Sequence, residues 1–164
     1  MTETACPGCG VVLDEVEGPT HRYMSSSPAC WGAYGEILAA EYSNAVLMDV
    51  HRLSVDAYAV QHPGDDSRQA IQSVGLHLAR LYVALEHGVI GDRARAAMEK
   101  FAVHKSTLEV LTPPEVFTIT VGEVVPFAGT QAHQEKVRAW ARSAWDDWHQ
   151  HHETVRRWAD KCLQ

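Results

Sequence analysis

From Pro28 onward apolar residues return at spacings of three and four, and before Pro28 they do not. The clearest stripe lies at the far end of the chain. Val137, Ala141, Ala144, Trp148, Val155, Ala159 and Cys162 recur at spacings of three, four or seven. That period predicts one long amphipathic helix capped by Thr130, with Trp140, Trp145 and Trp158 flanking its apolar side. Aromatics at this spacing read as core or oligomer interface in preference to a ligand pocket.

Working backward, Ala70, Ile71, Val74, His77, Leu78, Leu81 and Leu85 form a second seam. Asp65-Asp66-Ser67 caps its start and Gly88 its end, and a shorter helix follows from Asp92 to about Val103. A further helix is expected from near Asn44 to the residues before Pro63-Gly64. Its main stripe is Val46, Val50, Leu53, Ser54, Ala57 and Gln61, beside a ladder of His51, Val55, Tyr58 and His62. Asp56 falls off that ladder, where it either meets another helix or stays exposed. The first helix has a sharp beginning, because Ser27 is a good N-cap and Pro28 occupies the first helical position, where a missing N–H costs nothing. It runs to about Tyr42. Residues 104–130 are harder to assign. Pro113-Pro114 rules out a continuous helix, Val116 to Val121 has strand-like residues, and Thr120-Val121-Gly122-Glu123 matches a capping box.

The pattern therefore predicts a mainly α, four-helix-bundle-like single domain spanning 1–164. Residues 28–162 form the helical bundle, and residues 1–27 form an irregular, cysteine-rich cap with the form of a zinc knuckle. The cap is rich in turn formers (Pro7, Gly8, Gly10, Gly18, Pro19) and has too little apolar surface to order itself; Val11-Val12-Leu13 is its one strand-like stretch.

Composition narrows the function classes. A length of 164 residues with 46% hydrophobic content suits one globular core. A net charge of -7 without a basic run argues against nucleic-acid or anionic-membrane binding. No apolar run is long enough to cross a bilayer, and the first residues lack the form of a signal peptide. The expected location is cytoplasmic, where thiols stay reduced.

In that setting Cys6-Pro7-Gly8-Cys9-Gly10 reads first as a metal knuckle: the tight turn lets two thiolates face one ion. Cys30, in the first turn of the first helix, and His21 are the nearest further donors. The expected ligand set is Cys6, Cys9, His21 and Cys30 around a structural Zn2+. A dithiol redox pair and a set of unrelated cysteines are the alternatives. With four protein ligands the site would be closed, and closed zinc sites hold structure.

Ten histidines is a high count. His51, His62, His77 and His152 lie on or beside inward stripes, with His151 next to the last of them. If they converge, they would line a pocket for acid–base chemistry on a small-molecule ligand, or for a second divalent metal. The chain carries no His-Glu-x-x-His, Gly-x-Ser-x-Gly, Walker or dinucleotide motif. Two functional classes stay open: a zinc-stabilised binding module, acting through a partner or as a homo-oligomer, and a metal-dependent hydrolase or transferase.

Several segments together resemble a known group. Cys6-Pro7-Gly8-Cys9-Gly10, Gly18-Pro19-Thr20-His21, Ser27-Pro28-Ala29-Cys30-Trp31, the run from Val55 to Gly64, Ile71-Gln72-Ser73-Val74 with His77-Leu78, and His151-His152 with Val155-Arg156-Arg157-Trp158 look like a family of uncharacterised bacterial helical proteins. That resemblance covers nearly the whole chain and implies no reaction. A looser, architectural likeness is to the DinB/YfiT-like four-helix bundles, which hold a divalent metal with histidines from separate helices and include thiol-dependent transferases. It would imply a histidine-held metal in the bundle.

Overall fold

A computed structural model describes residues 1–164. Two three-residue strands, β1 (Glu3–Ala5) and β2 (Val12–Asp14), are followed by α1 (Pro28–Tyr42), α2 (His51–Gln61), α3 (Arg68–His87), α4 (Gly91–Val103), α5 (Val121–Val124), α6 (His133–Asp147) and α7 (His152–Ala159). The protein is mainly helical, and β1–β2 is its only sheet. None of its helices is long and apolar enough to cross a membrane.

The local signals for α1 and α3 act as the sequence predicts. Ser27 Oγ accepts from the Cys30 amide at 3.2 Å, and Ser67 Oγ accepts from the Ala70 amide at 3.2 Å. Gly88 closes α3 in the left-handed region at φ 63°. The Thr120–Glu123 capping box opens α5, so the strand-like run before it remains irregular.

One hydrophobic cluster of 31 buried residues runs from Cys6 to Cys162 and joins the N-terminal segment to the helices. Its axis is α2. Every residue from Asp56 to Gln61, and His62 after it, is buried, so the end of this helix has no solvent face. The expected main stripe is buried or half-buried from Val50 to Gln61, but the residues beside it at the end of the helix are buried too, and Val46, placed on that stripe, is exposed. The expected start near Asn44 also shifts: a 3-10 turn occupies Leu47–Val50 and α2 proper begins at His51.

Indole groups of α6 and the turn after it hold the end of α2. Trp140 Nε1 donates to Gln61 Oε1 at 2.9 Å, and Trp148 Nε1 donates to the Val60 carbonyl at 3.0 Å. Gln61 in turn donates through Nε2 to the Ile119 carbonyl at 2.7 Å. These bonds satisfy polar groups that would otherwise be orphaned in the core.

The expected long C-terminal helix is broken. It ends at Asp147, turns through His149–His151, and restarts as α7. Thr130 is not its N-cap, which is Ala132, although Thr130 Oγ1 does accept from the Ala132 amide at 3.2 Å. Histidines at the break add bonds to carbonyls of the last turn. His152 Nε2 donates to the Trp145 carbonyl at 2.7 Å, and His149 Nδ1 to that of Asp146 at 3.2 Å. Apolar spacing stays in phase across the break because both halves pack on the same core.

Candidate metal centre

The Cys6–Cys9 segment is the turn of the β1–β2 hairpin. Pairing of Ala5 with Val12 brings the ends together, the Cys6 amide donates to the Val11 carbonyl at 2.8 Å, and the Gly10 amide donates to that of Cys6 at 2.9 Å. Gly10 closes the loop at φ 80°, a conformation that side chains disfavour. The loop is then pressed against the end of α2. A Cβ on Gly8 would lie 2.2 Å from the Ser25 carbonyl oxygen and 2.6 Å from Cδ2 of His62. Only glycine fits there.

Four donor groups meet at this contact. Cys6 and Cys9 come from the hairpin turn, Cys30 from the first turn of α1, and His62 from the residue that ends α2. Their ligand atoms all lie within 4.8 Å of one another. Cys9 Sγ is 3.8 Å from Cys30 Sγ, and Cys30 Sγ is 3.3 Å from His62 Nε2. A tetrahedral ion bonded to sulfur at ~2.3 Å and nitrogen at ~2.0 Å would have edges of about 3.8 Å and about 3.5 Å, so these two spacings fit. All four residues are buried, with exposures of 3%, 6%, 0% and 1% for Cys6, Cys9, Cys30 and His62.

The surroundings orient the donors. His62 Nδ1 donates to the Tyr58 carbonyl at 2.6 Å, which fixes the tautomer and leaves Nε2 with a lone pair facing the sulfurs. The His62 ring also stacks on Tyr58 at 3.8 Å, and Tyr58 stacks on Tyr34 at 3.9 Å. Burial pushes the Tyr58 hydroxyl pKa upward. It stays protonated and can donate to Cys30 Sγ, 3.4 Å away. The thiols ionise unevenly. Hydrogen bonding to Cys30 holds Cys6 well below the ordinary thiol range, whereas hydrogen bonds to Cys6 and Cys9, with burial, push Cys30 up. Making all three thiolates at once requires a cation among them.

His21 is not in this group. It is half-buried on the outer side of the N-terminal segment, where its Nδ1 accepts from the Tyr23 amide at 3.3 Å and its ring meets Tyr23 and Trp31 edge-on. The fourth donor position, assigned to His21 on sequence proximity, is taken in the structure by His62. The sequence signal for His62 was its place one turn after Tyr58 and directly before Pro63, where a helix must end and the side chain can leave the helical path.

The other candidate histidines do not converge. His51 Nδ1 lies 2.8 Å from the buried Glu41 carboxylate, which also bonds Ser54 and, at 3.1 Å, His133 Nε2. His77 Nδ1 lies 2.7 Å from Asp56, so Asp56 does meet another helix. His152 stacks on Trp145 at 3.8 Å and bonds its carbonyl, and His151 Nε2 donates to the Thr112 carbonyl at 2.8 Å. Each has its own partner on a different part of the fold. Cys6, Cys9, Cys30 and His62 are the only group of three or more His, Cys, Asp or Glu side chains whose ligand atoms gather this closely.

A family model, described as a family of unknown function (DUF5946), matches residues 4–149. The chain belongs to this family. The DUF5946 match contains all four clustered residues and stops before α7. No curated protein and no solved structure matches the chain.

Proposed function

We propose that Cys6, Cys9, Cys30 and His62 hold one zinc ion as a structural centre. On this reading the protein is a zinc-stapled helical binding module of a reducing compartment such as the cytoplasm. The observation that carries the reading is the meeting of four buried donors from three separated stretches of chain, all facing inward. Three thiolates and one imidazole suit zinc, and a set closed by four protein ligands leaves no position for substrate or water. Catalytic zinc needs such an open position. The ion's task is mechanical: it fastens the hairpin turn to the start of α1 and the end of α2. A hydrolase or transferase using His51, His77 and His152 would need those side chains to share a pocket, and each is engaged elsewhere.

Substitution with cobalt(II) tests the donor set. A closed site of three sulfurs and one nitrogen gives intense thiolate charge-transfer bands and the strong visible bands of tetrahedral cobalt. Both are lost in Cys9→Ser. Pale, octahedral-type spectra, or spectra unchanged by Cys9→Ser, would overturn the assignment.

A further inference from the structure

Of the ten histidines, only His77 has Nδ1 held by a carboxylate while Nε2 meets no protein group. Nδ1 lies 2.7 Å from Asp56 Oδ1, across the contact between α3 and α2. Asp56 is buried, and its carboxylate has a second partner in Arg80, whose Nε is 3.5 Å from the same oxygen. His51 makes a similar bond to Glu41, but its Nε2 is occupied, 3.3 Å from the Tyr42 hydroxyl.

The carboxylate fixes the ring. With Asp56 facing Nδ1, the neutral imidazole keeps its proton there and the lone pair sits on Nε2. That nitrogen reaches solvent: Ser26 Oγ is the only side-chain polar atom both buried and unpartnered, and the His77 side chain is 16% exposed. Arg80 follows His77 by three residues, so the two side chains lie next to each other on α3. Its terminal nitrogens, like Nε2 of His77, take no protein partner and face solvent. Arg52, one turn before Asp56 on α2, is exposed and outside every ion pair.

A lone pair held outward, a carboxylate behind the ring and guanidinium groups alongside are the parts of a nucleophile for an anionic electrophile. A metal would need a third close donor, and none joins Asp56 and His77. An acyl group would give the guanidinium no charge to meet, whereas phosphoryl oxygens match it.

We propose that His77 is a phosphoryl-acceptor site, taking the group on Nε2 from a donor that carries it on nitrogen. Nε2 attacks phosphorus, the donor's P–N bond breaks, and the amine leaves with the electron pair. From phosphoramidate, whose nitrogen is already protonated, the leaving group is ammonia. Nδ1 keeps its proton and the ring becomes cationic. The Asp56 carboxylate stabilises that charge as it forms, and Arg80 meets the phosphoryl oxygens. The site shares no residue with the zinc centre and goes beyond that reading.

Incubation of the zinc-loaded full chain with phosphoramidate tests the proposal, with the modified positions mapped at alkaline pH, where phosphohistidine survives. His104 and His149 are exposed and serve as internal references. His77 is expected to react about tenfold faster than either, with Nε2 the modified nitrogen by phosphorus NMR. Arg80→Gln is expected to slow modification of His77 about tenfold without changing the melting temperature, and Arg80→Lys to recover part of the rate. Modification of His77 no faster than of His104 and His149 would overturn the proposal, as would an unchanged rate in folded Arg80→Gln. The wild-type ratio decides by itself if Arg80→Gln does not fold. Zinc content of the same samples reports on the other reading: a metal-free chain modified selectively at His77 would sink the zinc centre and leave this site standing.

Discussion

The first 27 residues and the helices after them are stabilised by different means. Within residues 1–27 only Cys6, Cys9 and Ser27 are buried, and two of these three are proposed zinc ligands. The helical part buries Trp140, Trp145 and Trp148 almost completely and bonds each indole N–H. Apolar burial is enough to order the second region. The first has almost none, so its order rests on a short hairpin and on whatever joins three sulfurs and an imidazole. On the proposed reading a metal stands in for a hydrophobic core over one segment, while the rest of the chain needs no such help.

That contrast predicts effects that separate the two regions. The largest follows metal removal. Structural zinc is worth roughly 10–16 kcal/mol in isolated zinc-finger peptides, so a chelator should release the segment before it unfolds the helices. In hydrogen exchange, the amides of β1, β2 and the Cys6–Cys9 turn should lose protection while those of α3 and α6 keep theirs. Simultaneous loss everywhere would show that the two regions are one cooperative unit. Next in size is Trp145→Ala, which empties a fully buried site far along the chain from the knuckle and removes the bond to Glu86. Loss of roughly 3–5 kcal/mol of global stability is expected, with one metal per chain retained. Smaller again is Gly8→Ala, where the added methyl meets backbone and the His62 ring. A cost of about 1–3 kcal/mol is expected, read as weaker metal retention against a competing chelator with little change in helical content. An unchanged chelator midpoint would mean that the loop does not press on α2 as described.

The different origins of order also decide what the sequence reveals. The start of α1, both ends of α3 and the start of α5 are legible because their signals are local: Ser27-Pro28, Ser67 with Gly88, and Thr120 with Glu123 each act on backbone within a few residues. The break after Asp147 is not legible, because the apolar spacing continues across it and the groups that compensate it, His149 and His152, look like ordinary polar residues. The candidate metal centre is half legible. Cys6, Cys9 and Cys30 announce themselves by type and spacing, but His62 lies 32 residues beyond Cys30 at the end of a different helix. Its role depends on how α2 packs against the hairpin turn, which no local pattern encodes. His21 sits nearer in sequence but faces Tyr23 and Trp31.

That substitution of one histidine for another gives the most direct test of the central claim: elemental analysis of metal per chain in the wild type, His21→Ala and His62→Ala. One zinc per chain is predicted for the wild type and for His21→Ala, with clear loss in His62→Ala. Metal-free wild-type protein, or zinc lost in His21→Ala and kept in His62→Ala, would contradict the account.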